Sequence, residues 1–378
     1  MRRDTLRRML TYRFRGFLRT LFSVTLFGSR RSMWIDRRRS GAIAPIEENI
    51  VSKFRALLLE NENKRTVANL TDLDQTDLPE GDVLVSVRYS SLNYKDAMAI
   101  TGTGKIVREW PMVPGIDLAG TVVESKSEKY ASGDDVVLTG WGVGERHWGG
   151  YAQMARVKSE WLVPKPEGLT LRQTMQLGTA GLTAMLCSLA LEEQGVRGDG
   201  PAVLVTGASG GVGGMATVLL SQMGYSVVAA TGRSENADYL RDLGAGEIIG
   251  REEVQGPLGK PLESQRWGGA VDTVGGRTLT EVLKAVVYGG SVAACGLAGG
   301  ADLNTTVYPF ILRGVRLIGV DSGMCPTPKR IAAWNRLGRL FPGDRLDAIT
   351  DSATLDDVAG WARKLIKGEV RGRVVVEL

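Results

Sequence analysis

Short apolar and alternating segments dominate the chain between residues 54 and 157. Each is bounded by Gly, Pro, Asp or Ser, the residue types that end strands and form turns. The pattern predicts a compact, mostly β domain that begins near Phe54. Its predicted strands span residues 54–59, 83–87, 118–123, 135–138 and 151–157.

The hydrophobic period changes from about residue 171, and residues 179–191 have the pattern of a long apolar helix. Strand-like and helix-like segments then alternate, which specifies a parallel sheet with helices on both faces. We predict strands over residues 203–206, 226–230, 247–249, 269–273, 291–295 and 315–320, and helices over 213–223, 235–243 and 279–287. The tail adds predicted helices over 328–340 and 355–366 and a last strand over 373–378.

The most informative segment is residues 203–213, VLVTGASGGVG. An apolar strand ends there in a turn of small residues, and an apolar helix follows. Glycines let the backbone approach a pyrophosphate, and a helix N-terminus offers free N–H groups to it. Such a turn also serves ordinary connections, but a second strand follows this helix. The residues predicted to hold the phosphates of a dinucleotide are Ser209, Gly210, Gly211 and Val212.

The second strand of this unit ends at Thr231-Gly232-Arg233. An NAD site usually has an acidic residue near this position for the ribose hydroxyls, whereas a guanidinium suits a 2′-phosphate. The sequence therefore predicts NADPH as the cofactor, bound in part by Thr231, Gly232 and Arg233. The alternative is that Arg233 is a solvated surface arginine.

Composition is typical of a soluble globular protein with two domains. The 378 residues are 43% hydrophobic and 24% charged, and this length allows two separate cores. The three cysteines, Cys187, Cys295 and Cys325, lie far apart with no CxxC pair, which argues against a disulfide scaffold and fits a reducing compartment. With a single histidine, His147, a zinc site built on histidines is not expected.

Positive charge is concentrated at the start of the chain. Residues 1–40 hold twelve arginines against Asp4 and Asp36, about +10, and because the whole chain carries +5, residues 41–378 carry about −5. The mildly acidic body has no basic face for nucleic acid. We predict that residues 1–50 form a disordered basic extension; an organellar transit peptide and upstream sequence added by the choice of start site remain alternatives. Its apolar stretch is too short and too charged to span a membrane.

Several motifs together resemble the zinc-free acrylyl-CoA reductase and quinone oxidoreductase branch of the medium-chain dehydrogenase/reductase superfamily. The resemblance extends from Phe54 to Leu378. The motifs are SSLNYKDA at 90–97, PGIDLAG at 114–120, LTGWGVGE at 138–145, HWGG at 147–150, ACGLAGG at 294–300 and FILR at 310–313.

The resemblance implies an α/β protein in two parts. A GroES-like, β-rich catalytic domain is expected over residues 51–175 and 325–378. A Rossmann domain with a doubly wound parallel sheet, binding NADPH, is expected over residues 176–324. We also expect a homodimer, and a cytoplasmic location if residues 1–50 are a dispensable extension.

No metal is expected at the catalytic site. Zinc-dependent relatives carry Gly-His-Glu where this chain has Gly115-Ile116-Asp117, and isoleucine cannot ligate a metal. The N-terminal β domain has no cysteine to supply a thiolate. Without a Lewis acid, reduction of an activated C=C bond is favoured over oxidation of an alcohol, which must lose a proton.

The resemblance implies five further residues at the site. Tyr94 is expected near the nicotinamide and substrate, as a contact, as the proton donor, or as a packing residue; a donor would need a pKa matched to that task. Thr179 is expected beside the nicotinamide and Arg251 beside the adenosine phosphate. Leu317 and Arg373 are expected to contact the cofactor, although Arg373 could be a surface charge.

For two other residues we favour a structural role over a catalytic one. His147 could be an acid, but a lone histidine in a Gly-rich loop is more often structural. Cys295 closes an apolar strand and is best explained as a buried small hydrophobe.

Three functions fit the sequence. The favoured one is NADPH-dependent reduction of a short 2-enoyl-CoA thioester, with acrylyl-CoA to propionyl-CoA as the concrete case. An NADPH:quinone oxidoreductase and a non-catalytic NADPH binder are the alternatives. The Trp141–Gly150 string favours the thioester, and a pocket around Trp141 and Trp148 is expected to limit the acyl chain. Cations at the cleft mouth that could meet the CoA phosphates are Lys95, Lys105 and Arg108, although all three could be ordinary solvated side chains.

Overall fold

A computed structural model describes residues 53–256, 260–341 and 344–378. The prediction for residues 1–50 lies outside these ranges. The described chain opens with an antiparallel hairpin of β1, Lys53–Glu62, and β2, Arg65–Asp74. Asn63 and Lys64 form its two-residue turn, both with positive φ, as the right-handed twist of a tight hairpin favours.

A second sheet forms the body of the β-rich part. Its strand order is β14-β15-β3-β4-β5-β7, with β6 paired to β3. The strand β15, near the end of the chain, joins this sheet by pairing antiparallel with β3. The strands are β3 Val83–Ser91, β4 Asp117–Ser125, β5 Asp135–Thr139, β6 Met154–Val157, β7 Leu162–Pro164, β14 Thr350–Thr354 and β15 Arg373–Glu377.

The third sheet is parallel throughout, with the order β10-β9-β8-β11-β12-β13. In chain order this is 3-2-1-4-5-6, the doubly wound arrangement of dinucleotide-binding domains. The strands are β8 Val203–Val205, β9 Val227–Thr231, β10 Glu247–Gly250, β11 Trp267–Asp272, β12 Val286–Ala294 and β13 Arg316–Gly319. The predicted α/β class, with a β-rich part and a Rossmann part, is confirmed.

Eight α-helices connect these sheets in the described ranges. A short helix, α1 Tyr94–Thr101, follows β3, and the long α2, Leu171–Glu193, lies between the β-rich part and the parallel sheet in sequence. The others are α3 Gly211–Gln222, α4 Ala237–Asp242, α5 Gly276–Ala285, α6 Tyr308–Arg313, α7 Thr327–Leu340 and α8 Val358–Ile366. By length and composition α2 could cross a membrane, but 89% of its apolar window is buried inside the protein.

Helix α2 is the central core element. Thr170 and Gln173 form a capping box at its start, which satisfies two backbone N–H groups there. Its apolar residues pack into a core cluster that also takes side chains from β8, α3 and α7, among them Val203, Leu219 and Trp334. The predicted helix over 179–191 is therefore the second part of a longer one.

Several predicted boundaries were wrong; the strand expected from residue 291, for example, begins at Val286. The helix expected to reach residue 287 ends at Ala285, because the β-branched Val286 pairs with Trp267 as the first residue of β12. The strand expected from residue 151 begins at Met154, since Tyr151 instead bonds to Pro114. The helix expected from residue 355 begins at Val358. The pattern also missed β2, β7, β14, α1 and α6, which are short or polar-rich.

Candidate nucleotide and substrate site

The glycine turn after β8 has the close packing that its sequence requires. Gly210 is the N-cap of α3, so Gly211 and Val212 occupy the first helical turn with their N–H groups facing the helix start. Gly207 has φ of +60°, and a Cβ on Gly213 would lie 2.3 Å from the Gly207 carbonyl oxygen. The helix therefore approaches the turn as closely as backbone allows, and its N-terminus can receive a phosphate.

A cleft of ≈ 290 Å³ brings six of the predicted residues together. Arg233 donates from Nη2 to the Ser209 hydroxyl at 3.1 Å, and its backbone N–H donates to the Thr231 hydroxyl at 3.1 Å. The Arg251 guanidinium lies against Gly232, where a Cβ would be 2.4 Å from its Nη2. The cleft wall includes Ser209, Gly210, Thr231, Gly232, Arg233 and Arg251, and Val212 follows in the adjoining helix.

Two arginines at one cleft suit a doubly charged phosphate, because a guanidinium offers several N–H donors in a fixed plane. Arg233 is also bonded to the Gly368 carbonyl. That contact ties the cleft to the last turn before β15. The Arg233 side chain is therefore half-buried and bonded both to Ser209 and to Gly368, and its contact with the cofactor stays a prediction.

Arg373 is buried, with 4% of its surface exposed, so the surface alternative is wrong for it too. It donates to the Ser91 hydroxyl at 2.9 Å, to the Asn93 side-chain oxygen at 3.3 Å and to the Gln176 carbonyl at 3.1 Å. Burial lowers the pKa of its guanidinium, and the charge of Asp117 opposes that shift. A Cβ on Gly211 would be 3.2 Å from Arg373 Nη1, so Arg373 borders the glycine turn after β8.

Asp117 is the centre of a buried polar network. Its carboxylate accepts from the Ser91 hydroxyl at 2.5 Å and from the Asn93 amide at 2.9 Å. It also accepts from the backbone N–H and the hydroxyl of Thr179, at 2.8 and 2.5 Å. Thr179 is thus held at the beginning of the second part of α2, directly after Gly178.

Sequence reasoning missed Ser91, Asn93 and Asp117 as site-forming residues. Each belongs to a motif that carries the family resemblance, and that was the available signal. The two motifs are 24 residues apart, so only the pairing of β3 with β4 brings them together.

Asp96 is a second buried carboxyl beside this network. It accepts from the backbone N–H groups of Asn93 and Ile116, both at 2.9 Å. Burial, followed by the nearby charge of Asp117, raises the pKa of Asp96 to about 7. Asp96 therefore fixes the start of α1 and the position of the Ile116 loop.

Tyr94 is the first residue of α1 and is 52% exposed. It follows Asn93, whose side chain reaches Asp117 at 2.9 Å. The exposure removes the core-packing alternative.

The three cations expected near the CoA phosphates have different surroundings. Lys95 forms an ion pair with Glu145 at 2.8 Å, whereas Lys105 and Arg108 have exposed side chains.

Leu317, His147 and Cys295 lie elsewhere. Leu317 is on β13, with β11 and β12 between it and the strand before the glycine turn, and its cofactor contact stays a prediction. His147 bonds through Nε2 to the Arg156 carbonyl at 2.7 Å and meets the Trp161 ring edge-on, as a structural histidine does. Cys295 is partly buried, with its Sγ 3.5 Å from the Asp272 carbonyl oxygen.

The two tryptophans of the expected acyl pocket have different surroundings. Trp148 donates from Nε1 to the Pro111 carbonyl at 3.0 Å and packs on the core beside the β1–β2 hairpin. The Trp141 ring instead lies 5.0 Å from the guanidinium of Arg330. Both flank the loop of Ile116: Gly140, next to Trp141, donates from its N–H to the Ile116 carbonyl at 3.0 Å, and Gly149, next to Trp148, donates to the Val113 carbonyl at 2.7 Å.

Metal ligands are not grouped in the ranges that the structure describes: no cluster of three or more His, Cys, Asp or Glu side chains could hold an ion there. Ile116, at the position of the expected ligand, is buried with 6% exposure.

Fold and site together define a two-domain nucleotide-binding protein of the dehydrogenase and reductase class. Two family models match the chain: the alcohol dehydrogenase GroES-like domain over residues 79–167 and the zinc-binding dehydrogenase domain over residues 211–338. The acrylyl-CoA reductase AcuI of Ruegeria pomeroyi is 54% identical over 328 residues, which are 86% of this chain and 99% of that protein.

Two solved structures are also similar. The yhdH oxidoreductase of Salmonella enterica, in complex with NADP, is 52% identical with a TM-score of 0.84, covering 86% of this chain and 99% of that one. YhfP of Bacillus subtilis, a putative quinone oxidoreductase with NAD bound in its structure, is 45% identical over the same shares with a TM-score of 0.84. This chain belongs to the medium-chain dehydrogenase/reductase superfamily, in the branch that holds these three proteins.

Proposed function

We propose that this protein is an NADPH-dependent oxidoreductase that reduces the C=C bond of a short 2-enoyl-CoA thioester, with acrylyl-CoA to propionyl-CoA as the concrete reaction. The observation that carries the proposal is the cleft of Arg233 and Arg251 beside the Ser209 turn, in a chain 54% identical to an acrylyl-CoA reductase. Two guanidiniums at this cleft favour the 2′-phosphate of NADPH over the ribose hydroxyls of NADH.

NADPH, when bound, supplies the hydride that reaches the β-carbon of the thioester; a proton must then reach the α-carbon. The chain's own contribution is positioning, which can supply a large part of a rate enhancement. Thr179 is fixed by two bonds to Asp117 and would orient the nicotinamide. The exposed Tyr94 hydroxyl would donate to the thioester oxygen, stabilising charge that develops in the enolate.

Substrate class is tested by following NADPH absorbance with acrylyl-CoA, crotonyl-CoA and a simple quinone in parallel. We expect acrylyl-CoA to be the best acceptor, with activity unchanged by a metal chelator. Rapid quinone turnover without oxidation of NADPH by acrylyl-CoA would favour the quinone oxidoreductase instead. No turnover of any acceptor, with NADPH still bound, would favour the non-catalytic binder.

The role of Tyr94 is tested by Tyr94→Phe. If the phenol only positions the substrate, kcat/KM should fall about ten-fold or less. If the phenol protonates the enolate, the loss should be about 10²–10⁴-fold, the usual range for general acid catalysis. We expect the smaller effect, because a side chain that is 52% exposed leaves water free to deliver the proton.

We further propose a homodimer that works in the cytoplasm without nucleic acid or membrane. Strand β13 is the last in its sheet, and unpaired edge groups can pair with a second copy. The neighbouring Val307, Ile311 and Leu312 are 56–67% exposed, and such apolar surface supports association. A monomeric mass in solution would contradict this part of the proposal.

A further inference from the structure

Arg330 is a buried cation that the proposed reaction does not use. It lies in the first turn of α7 with 1% of its surface exposed. Within the described residues, its guanidinium forms no ion pair with a carboxylate. Its hydrogen bonds go to neutral carbonyl and hydroxyl oxygens. Burying an arginine in this way is costly, so its bonding partners indicate what the charge is used for.

The guanidinium joins two separate segments. Nη1 donates to the carbonyl and hydroxyl oxygens of Thr139, both at 2.7 Å, at the end of β5. Nη2 donates to the carbonyls of Ser322, Gly323 and Cys325 at 2.9, 3.1 and 3.4 Å, in the connection from β13 to α7. One side chain therefore holds the β-rich sheet to the segment that leaves the nucleotide-domain sheet.

Trp141 lies on this junction. Its ring lies over the Arg330 guanidinium, and its backbone N–H donates to the Gly323 carbonyl at 3.0 Å. Its φ is +58°, in the left-handed region that a non-glycine residue rarely adopts. Such a conformation costs about 1–3 kcal/mol and persists only where the surroundings fix it. Here the stacked cation and the Gly323 carbonyl fix it.

The junction borders the candidate reaction site on both sides. Residue 140 is bonded to Ile116, next to Asp117. On the other segment, the Ser322 hydroxyl lies 2.6 Å from the Thr183 hydroxyl, which donates its one hydrogen to the Thr179 carbonyl at 2.7 Å. Trp141 and residues 322–325 are thus linked from two directions to the residue that we expect beside the nicotinamide.

We propose that Arg330 is a positioning residue that sets acyl-chain selectivity, by fixing Trp141 and the 322–325 segment as one rigid wall of the substrate cleft. The inference rests on the proposed reductase function. A fixed wall can discriminate acceptors that differ by one methyl group by about 10–200-fold, whereas a wall that yields cannot.

Arg330→Lys is the informative substitution. Lysine keeps the charge, but its single ammonium cannot reach acceptors on two segments as the planar fork does. Arg336→Lys is the matched control, because Arg336 is on the same helix and forms a two-point contact with Glu192 at 2.6 and 2.8 Å. We expect Arg330→Lys to reduce the preference for acrylyl-CoA over crotonyl-CoA about ten-fold or more, mainly through KM for acrylyl-CoA, with the Kd for NADPH within about two-fold. Arg336→Lys should change neither.

A second readout needs no turnover. Hydrogen exchange followed by mass spectrometry should become faster in both residues 139–144 and 320–325 of Arg330→Lys, and in neither segment of the control. If Arg330→Lys does not fold, Thr139→Val removes one acceptor at Oγ1 and should produce both effects in weaker form. Faster exchange with unchanged acceptor preference, or unchanged exchange, would overturn the inference.

A wrong substrate class can be told apart from a wrong role for Arg330. If the wild type reduces quinones but not thioesters, the proposed substrate is wrong, and the same variants are compared on small and large para-quinones. Loss of size preference in Arg330→Lys alone would then still support the wall. An unchanged preference would reject it independently of the substrate class.

Discussion

At the scale of single residues, the site is built on buried charges that neutral groups connect. Arg373 and Asp117 share Ser91 and Asn93 between them, so each charge is stabilised without direct ion pairing. Removing one partner of such a set leaves the other charge uncompensated, which costs far more than the set contributes to net stability. The polar residues of the network are therefore fixed in place, as a site that must orient a cofactor requires.

We expect Arg233 to decide the preference for NADPH over NADH. Arg233→Ala should weaken NADPH far more than NADH, because a charge-assisted contact is worth about 1.5–3 kcal/mol, roughly ten- to a hundred-fold in affinity. Fluorescence titration with both nucleotides measures the change. Arg241→Ala removes the same charge from an exposed ion pair with Asp238 and should leave both affinities unchanged. Equal loss of both nucleotides in Arg233→Ala would reject the assignment.

Asp96 makes stability depend on pH. Its pKa rises from 3.8 in the unfolded chain to about 7 in the folded one, so between these values the folded state binds more protons. The free energy of unfolding should therefore fall as pH increases from about 4 to about 7 and level off above, by at most about 1.4 kcal/mol per pH unit. Urea unfolding at pH 5, 6 and 7.5 measures the slope.

Asp96→Asn isolates this contribution. Asp272, whose pKa burial also raises, and His147, whose pKa burial lowers, are present in both proteins, so the difference between the slopes belongs to Asp96. The variant should be less stable throughout, because its amide cannot accept from both backbone N–H groups, and its slope should be flatter. Equal slopes would show that Asp96 is already charged at pH 5.

At the scale of elements, the kink in α2 brings the helix backbone against the buried network of Asp117. Gly178 has φ of +50° and ψ of −153° inside the helix, and the chain resumes the helix at Thr179 with its N–H directed to Asp117. A Cβ at residue 178 would be 2.6 Å from Asp117 Oδ2 and 2.7 Å from Ser91 Oγ. The glycine thus lets the buried network approach the helix axis.

Two glycine-to-alanine substitutions should have opposite effects. Gly178→Ala should lower the free energy of unfolding by at least about 2 kcal/mol, since the left-handed conformation alone costs about 1–2 kcal/mol and the clash adds to it. Gly360→Ala, inside α8 with open space at its Cβ, should raise it by up to about 1 kcal/mol. Denaturant unfolding checks both. An unchanged free energy of unfolding in Gly178→Ala would show that Asp117 and Ser91 can move aside at little cost.

At the scale of the whole molecule, the chain tail closes the β-rich part. Strand β15 pairs with β3, and β14 pairs with β15. Arg373 on β15 brings a charge from near the end of the chain to the glycine turn after β8. The tail therefore belongs to the site as well as to the sheet. Domain boundaries at residues 175 and 324 stay a prediction, and α2 crosses the first of them.

Residues 1–50 should be dispensable for folding and turnover. Their charge differs in sign from that of the body, and the relatives match only 86% of this chain while being covered almost completely themselves. Deleting them should change the midpoint of thermal unfolding by less than about 2 °C, which is under about 1 kcal/mol, and leave kcat unchanged. A large drop in the midpoint would mean that the segment docks on the body.

The sequence by itself determined the class of fold and the phosphate turn. Both depend on local signals: the period of apolar residues decides between strand and helix, and VLVTGASGGVG with Thr231-Gly232-Arg233 encodes a turn and its charge within about thirty residues. Such signals need no knowledge of distant contacts. The predicted ends of helices and strands were wrong where pairing with a distant strand decided them, as at Val286.

Only the tertiary structure decided which polar residues form the site. Asp117, Ser91 and Asn93 become one network through the pairing of β3 with β4, and Arg373 joins them because β15 adds to β3. Arg330 and Trp141 meet from residues 189 positions apart. The local sequence does not show which partners these side chains contact. Burial and partners assign their roles, and both are properties of the folded chain.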